Sequence, residues 1–241
     1  MKKDTWPQKA IILAAGRGRR LRPYTDQIPK PLLPIEGRPM LDITLQAAAF
    51  AGITQAVIIT HYLADQIKSS VGNGQKWGMS VSYTEQTEML GTAHALQGTA
   101  AFIDEPVLIL AADYILPLTY LHELKSFHLQ QNHPQPITIS LKQLSLAEQR
   151  SSSSIRYGEN GRITEIIEKP AAGESASAHG ASLIYIVPAA ITDFLQNLEL
   201  SSRGEYELPA VLNRMIQAGY PVRGLLQEKP AEWEPHFWPA E

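Results

Sequence analysis

The sequence predicts an α/β fold, doubly wound around a mostly parallel sheet, and three observations carry that expectation. Short apolar runs recur along the chain and alternate with segments of helical spacing. Glycines close several of the helical segments. At 241 residues the chain is also long enough to bury a substantial core without disulfide or metal staples. Strands joined through helices of this length cross over right-handedly, leave helices on both sheet faces, and place ligands at the strand C-terminal ends.

Taken in order, residues 9–14 (KAIILA) form an apolar run bounded by Gly16 and read as a buried strand. Residues 55–60 (QAVIIT), 80–85 (SVSYTE), 106–111 (PVLILA) and 137–141 (ITISL) are the next strand candidates. Between them, helical spacing covers residues 40–51 before Gly52, 64–71 before Gly72, 92–101 and 118–131. From about Ser151 the rhythm changes: the serine run 151–154 reads as a loop, 162–168 (RITEIIE) and 182–187 (SLIYIV) as strands, and 205–218 as a helix ended by Gly219. One domain, 1–241, is expected, with a first part to about residue 135 and a later lobe, 136–241, attached to the same sheet. No internal repeat and no long low-complexity segment interrupts this pattern.

Composition removes several function classes. Without cysteine there is no thiolate metal site and no Cys nucleophile. A formal net charge of -3 disfavours broad polyanion binding, so no nucleic-acid partner is expected and any strong cationic site must be local. No stretch approaches the roughly 20 apolar residues of a membrane span, and residues 1–8 lack the apolar core of a signal peptide. The expectation is a cytoplasmic protein without a membrane partner. The seven histidines show no HExxH or comparable ligand spacing.

The most informative stretch is residues 13–31, LAAGRGRRLRPYTDQIPKP. Arg17, Arg19, Arg20, Arg22 and Lys30 would repel one another unless an anion joins them. Gly16 and Gly18 let backbone N–H groups approach that anion, and the position after the first strand is where phosphates bind. A dinucleotide fingerprint is disfavoured, because Leu21 stands where a third glycine is needed and Pro23, Pro29, Pro31 and Pro34 forbid a regular helix. A Walker loop needs a lysine and a hydroxyl after the second glycine, and Gly18-Arg19-Arg20 does not supply them. An extended, proline-stiffened loop around a triphosphate fits the remaining pattern.

At these residues the chain resembles the sugar-phosphate nucleotidyltransferases, the glucose-1-phosphate thymidylyltransferase and uridylyltransferase type, over roughly residues 11–170. The resemblance implies a Rossmann-like nucleotidyltransferase fold with a small sugar-binding lobe. It implies that Arg20 and Lys30 hold the triphosphate, and that Leu13, Ala15, Gly16 and Gly18 line the nucleotide. Gln86 and the Gly91-Thr92 pair then fall where the family reads the base, and an amide offering both donor and acceptor suits thymine or uracil. Asp113, just beyond a buried strand, falls on the metal-binding position for Mg²⁺, which wants one or two carboxylates plus phosphate oxygens. Gly158 and Glu168 would touch sugar hydroxyls, and Lys169 would hold the sugar phosphate.

Departures from the family pattern stand in three places. Ala112 replaces the glycine usual before the metal-binding Asp, and Leu183 stands where a sugar-side glycine is usual. The C-terminal Trp-x-Asp that supplies a second metal ligand is replaced by Trp233-Glu234-Pro235, with no Asp after Asp193, so Glu232 or Glu234 is the substitute and Glu234 is carried as the candidate. Many relatives continue into a β-helix or dimerisation segment where this chain stops, so no second acyltransferase activity is expected. The implied reaction joins a nucleoside triphosphate, dTTP or UTP first, to a sugar 1-phosphate and releases pyrophosphate. A CTP- or GTP-using enzyme of the same fold, phosphocholine-type acceptors included, and a non-catalytic nucleotide-sugar binding protein stay open, as does a homo-oligomer.

Overall fold

The computed structural model describes residues 6–227 apart from 116 and 172, with only the main chain of Arg150. In chain order the elements are β1 (Lys9–Leu13), a short hairpin β2 (Pro34–Ile35) and β3 (Arg38–Pro39), α1 (Met40–Phe50), β4 (Gln55–Thr60), α2 (Ala64–Val71), β5 (Ser80–Glu85) and α3 (Thr92–Gln97). Then follow β6 (Val107–Ala111), α4 (Tyr120–Leu129), β7 (Ile137–Gln143), β8 (Ser154–Tyr157), β9 (Ile163–Ile167), β10 (His179–Val187), α5 (Ile191–Leu195), α6 (Leu208–Gln217) and β11 (Val222–Gln227).

Seven strands form one sheet in the order β11-β7-β10-β6-β1-β4-β5. Neighbours are parallel except that β10 runs antiparallel to both β6 and β7. The chain moves outward from β1 through β4 to β5 and then returns to lay β6 on the other side of β1. The C-terminal ends of β1 and β6 therefore flank the point where the winding reverses, the crevice in which open α/β sheets bind ligands. Leu13 pairs with Ala111 there, and the Ala112 amide donates to the Leu13 carbonyl at 3.0 Å.

Side-chain alternation on these nearly all-apolar strands separates two cores. Ala10, Ile12, Ile58, Leu108 and Leu110 pack against Leu41 and Leu45 of α1, Ile67 of α2 and Leu121 and Leu124 of α4. Ile11, Val57, Ile59 and Ile109 face the other way, onto Ala93 and Leu96 of α3, Ile191 of α5 and Leu208 to Met215 along α6. Fully burying one such aliphatic side chain contributes about 1.5–3 kcal/mol, so both faces hold the sheet edge rigid where the site is built.

Several elements differ from the sequence expectation. The helix expected at 92–101 stops at Gln97, and a 3₁₀ turn at Ala100–Phe102 follows. The helix expected from 205 begins at Leu208, because the main chain of Tyr206 is engaged elsewhere and Pro209 suits the first helical turn. The serine run gives way at Ser154 to β8, which forms a separate two-stranded sheet with β9. Neither α5 nor β11 is marked by a periodic run long enough to read. No described helix is long and apolar enough to cross a membrane.

Candidate functional site

The loop after β1 contains no regular helix; it makes three 3₁₀ turns, Arg19–Leu21, Tyr24–Asp26 and Lys30–Leu32, as its prolines require. Gly18 opens the first turn at φ 68°, a left-handed conformation that favours glycine. A methyl there would sit 3.0 Å from Lys30 Cβ and 3.1 Å from Thr25 Cγ2, so the loop folds tightly back on itself. The Gly18 carbonyl accepts from the Leu21 amide at 2.9 Å and from Thr25 Oγ1 at 3.0 Å. From outside, the Tyr62 hydroxyl donates to the Asp26 carbonyl and Gln66 Nε2 to the Gln27 carbonyl, each at 2.9 Å.

The fold-back carries Lys30 across the crevice, where its ammonium meets the Asp113 carboxylate in an ion pair. Both side chains are about one-third exposed, 30% and 32%. The first loop and the carboxylate beyond β6, 83 residues apart in sequence, thus share one edge of the sheet. The other loop cations divide. Arg22 pairs with Asp26 at 2.6 Å, and Arg17 lies 5.0 Å from the Tyr62 ring centroid. Arg19 and Arg20 are exposed and have no ion-pair partner among the described residues. Gly16 is exposed, with open space where a side chain would stand, while Leu13 is half-buried and Ala15 buried against the sheet.

Beyond β5, Gln86 is buried and its Nε2 lies 3.3 Å from the Gly91 carbonyl and 3.4 Å from His94 Nδ1. A carbonyl can only accept, so the amide nitrogen is the atom turned inward and Oε1 is left for another partner. A pocket of about 200 Å³ opens here between the end of β5 and α3, lined in part by Thr84, Glu85, Gln86, Thr87 and His94. Gly91 takes φ 113°, and a Cβ would fall within 2.9 Å of the Tyr206 nitrogen and closer still to its carbonyl. Glycine is thus required at 91 by the protein's own main chain. The Thr92 hydroxyl is engaged too, accepting from the Leu208 amide at the start of α6 at 3.0 Å.

On the other side of the crevice, β9 delivers Glu168 and Lys169. Burial pushes the Glu168 carboxyl above its ordinary value, the nearby Glu207 pushes it further, and Arg203 and Lys169 pull it back. Arg203 holds this wall together: its guanidinium is ion-paired with Glu207, lies 3.9 Å from Glu168 and 4.0 Å from Glu205. Lys169 is exposed at φ 45°, a conformation uncommon for a side chain of its size. Tyr114, next to Asp113, links the walls. Its phenol is raised mainly by burial, opposed by a hydrogen bond to the Leu183 main chain, and the charges of Asp113 and Glu168 push it further up.

One expected neighbour does not belong. Gly158, read from sequence as a sugar-side partner of Glu168, sits at the far turn of the β8–β9 hairpin, its amide 2.8 Å from the Arg162 carbonyl. In this hairpin Ser154 pairs with Ile167 and Tyr157 with Ile163, so Glu168 extends from the opposite end. At about 3.3 Å per residue the six steps from Arg162 to Glu168 amount to roughly 20 Å. Glu234 and Glu232, the substitutes for a second metal ligand, lie outside the described residues. β11 ends at Gln227 beside Lys142, on the same sheet edge as the strand ends of β1 and β6.

Arg203, Glu207 and Tyr114 were not singled out from sequence. Their signals are faint: a charged run, RGEYE at 203–207, just ahead of a helix, and an aromatic residue directly after the candidate metal-binding Asp.

Comparison with known proteins follows the same line. A family model described as nucleotidyl transferase matches residues 9–234. A glucose-1-phosphate thymidylyltransferase of Streptomyces griseus is 30% identical over 217 residues, 89% of this chain and 59% of that protein. A UTP–glucose-1-phosphate uridylyltransferase of Synechocystis sp. is 28% identical over 250 residues, 96% of this chain and 62% of the relative. The chain thus spans about three-fifths of the length of these curated relatives. Among solved structures, a Bacillus anthracis chain assigned as a glucose-1-phosphate thymidylyltransferase superposes with TM-score 0.78 at 27% identity, covering 91% of this chain and 87% of that one. A UDP-glucose pyrophosphorylase complexed with UDP-glucose shares the fold with TM-score 0.77 at 21% identity over 91% of each chain.

Proposed function

The chain belongs to the nucleotidyl transferase family, and from that premise we propose that it transfers a nucleotidyl group, from dTTP or UTP by preference, to a sugar 1-phosphate and releases pyrophosphate. The observation that carries this reading is the meeting of Lys30 and Asp113. It brings a glycine-arginine loop suited to phosphates and a carboxylate suited to their counter-ion together at the reversal point of the sheet.

In this reading an oxygen of the sugar phosphate attacks the α-phosphorus, the new P–O bond forms as the α–β bridging bond breaks, and the electron pair leaves with pyrophosphate. The attacking phosphate is ionised near pH 7 and needs no general base. Two polyanions must meet, so the work of the protein is positioning and charge neutralisation. Arg20, exposed and without an ion-pair partner among the described residues, and Lys30, released from Asp113, would bind the triphosphate. Asp113 is a single carboxylate facing the phosphate loop, which suits Mg²⁺ held mainly by phosphate oxygens. That ion, when bound, would withdraw charge from the reacting phosphates.

Gln86 would present Oε1 to a base donor such as the imide N–H of uracil or thymine. Lys169 would aim the sugar phosphate and Glu168 would receive a sugar hydroxyl. Arg203 joins them as a second cation on the acceptor side. The division into a nucleotide part to about residue 135 and an acceptor part beyond it, in a cytoplasmic enzyme, belongs to the same proposal.

The test is pyrophosphate release across a matrix of dTTP, UTP, GTP and CTP against sugar 1-phosphates with Mg²⁺, with calorimetric binding of each triphosphate. Turnover with dTTP or UTP is the expected outcome. Triphosphate binding without turnover by any pair would favour a binding protein, and neither binding nor turnover would overturn the reading.

A further inference from the structure

The base side and the acceptor side of the site are held by one short piece of chain. Residues 203–208 form two main-chain hydrogen bonds with the base-side loop: the Tyr206 amide donates to the Leu90 carbonyl at 2.7 Å, and the Ala93 amide to the Tyr206 carbonyl at 2.9 Å. The Thr92 hydroxyl accepts from the Leu208 amide, and Gly91 leaves room for the Tyr206 main chain that no other residue would leave. The Tyr206 ring stacks on His94, centroids 6.1 Å apart and planes 25° from parallel, and His94 in turn touches the Gln86 amide.

The other end of the same segment grips the acceptor side. Arg203 and Glu207 bracket Glu168. Asn213, on the helix that Leu208 begins, bonds the Ile166 main chain twice: its Oδ1 accepts from the Ile166 amide and its Nδ2 donates to the Ile166 carbonyl, each at 2.8 Å. A side-chain amide that mimics a strand neighbour in this way fixes β9 two residues before Glu168.

We infer that residues 203–208 and α6 act as a clasp that registers the base-reading loop against the acceptor wall, with Tyr206 as its positioning residue. This rests on the function proposed above. Its consequence is that loosening the clasp at Tyr206 is felt at both substrates, although Tyr206 itself touches only the base-side loop among the two sides it joins. A residue that only supported the base loop would affect the nucleotide alone.

The experiment compares Tyr206→Leu, which removes the stacking ring, with Tyr206→Phe, which keeps it. Tyr206→Leu is expected to raise KM about fivefold or more for both the triphosphate and the sugar 1-phosphate, with kcat changed less, while Tyr206→Phe stays within about twofold of the parent. A rise confined to the triphosphate KM, or equal damage from both variants, overturns the clasp. If the parent itself turns over no substrate pair, the functional reading fails, and the clasp is judged by amide hydrogen exchange in the same proteins. Faster exchange around residues 163–168 in Tyr206→Leu but not in Tyr206→Phe supports the link; unchanged exchange there overturns it.

Discussion

At the β1–β6 edge two carboxylates, Asp113 and Asp26, meet five loop cations, whereas at the end of β9 three carboxylates meet Arg203 and Lys169. Asp113 is neutralised by Lys30, leaving Arg19 and Arg20 with no acidic partner among the described residues. Arg203 lies within ion-pair reach of Glu168, Glu205 and Glu207. The first wall is incomplete without an anion, because clustered cations raise one another's energy until something negative joins them. The second already satisfies its arginine and holds a carboxyl, Glu168, in a partly desolvated place where hydroxyl donors bind well. Two walls of opposite charge suit the two different ends of the proposed reaction.

The largest effect belongs to the centre of the cation-rich wall. Asp113→Asn is expected to lower kcat/KM by roughly 10²–10³-fold, the scale of losing one preorganised charge-stabilising group. Triphosphate binding measured by calorimetry without divalent metal should not weaken, since the substitution removes a negative charge from beside the phosphates. Turnover at the parent's level would break the assignment of Asp113 to the metal, and with it the contrast between the walls.

Next comes Arg20, which like Arg19 has no ion-pair partner among the described residues. A hydrogen bond to a charged group contributes about 1.5–3 kcal/mol, so Arg20→Ala should weaken triphosphate binding by about 10- to 100-fold. Its affinity should also depend less on salt than the parent's. Arg22→Ala is the internal control, because Arg22 is half-exposed and already engaged with Asp26, and a change of no more than about threefold is expected. Equal losses in both variants would mean that the loop acts as an undifferentiated basic surface.

The first wall was far more legible in sequence than the second. KAIILA, QAVIIT and PVLILA are continuous apolar runs because those strands are buried on both faces, and the loop between them packs glycine, arginine, proline and lysine into one stretch. The second wall, proposed to face the acceptor, is assembled from residues 114, 168, 203 and 207, which topology brings together and no local pattern marks. The β8–β9 register is set by pairing, not by spacing, so a sequence reading attached Gly158 to the wrong end of its hairpin. Gly91 was assigned to the base from the resemblance alone, whereas the main chain that comes close to it within the protein is that of Tyr206.

A smaller effect probes the acidic wall through pH. Glu168 is protonated more readily in the folded chain than its ordinary value of 4.5 would allow, chiefly because it is buried. Its favourable contribution is therefore complete below that ordinary value and is lost as pH rises through the raised one. The thermal midpoint of Glu168→Gln, measured relative to the parent, should climb as pH rises across this window. A difference that stays flat with pH would place the carboxyl in water and remove the contrast in desolvation between the two walls.

The smallest effect on activity is expected at Gly158. Its φ of -102° is open to any residue, and an added methyl would crowd the Thr164 Cγ2, a side-chain atom at 2.7 Å that must move to make room, while the Arg162 carbonyl oxygen stays at an ordinary 3.9 Å. Gly158→Ala should therefore cost about 1 kcal/mol of stability at most and leave the sugar 1-phosphate KM within about twofold of the parent. Such an outcome would separate the two ends of one hairpin: the end carrying Glu168 faces the crevice, while the turn, roughly 20 Å along the strand by its rise per residue, serves only to reverse the chain. A tenfold rise in that KM with unchanged stability would instead bring the turn to the sugar and require a different path for the acceptor wall.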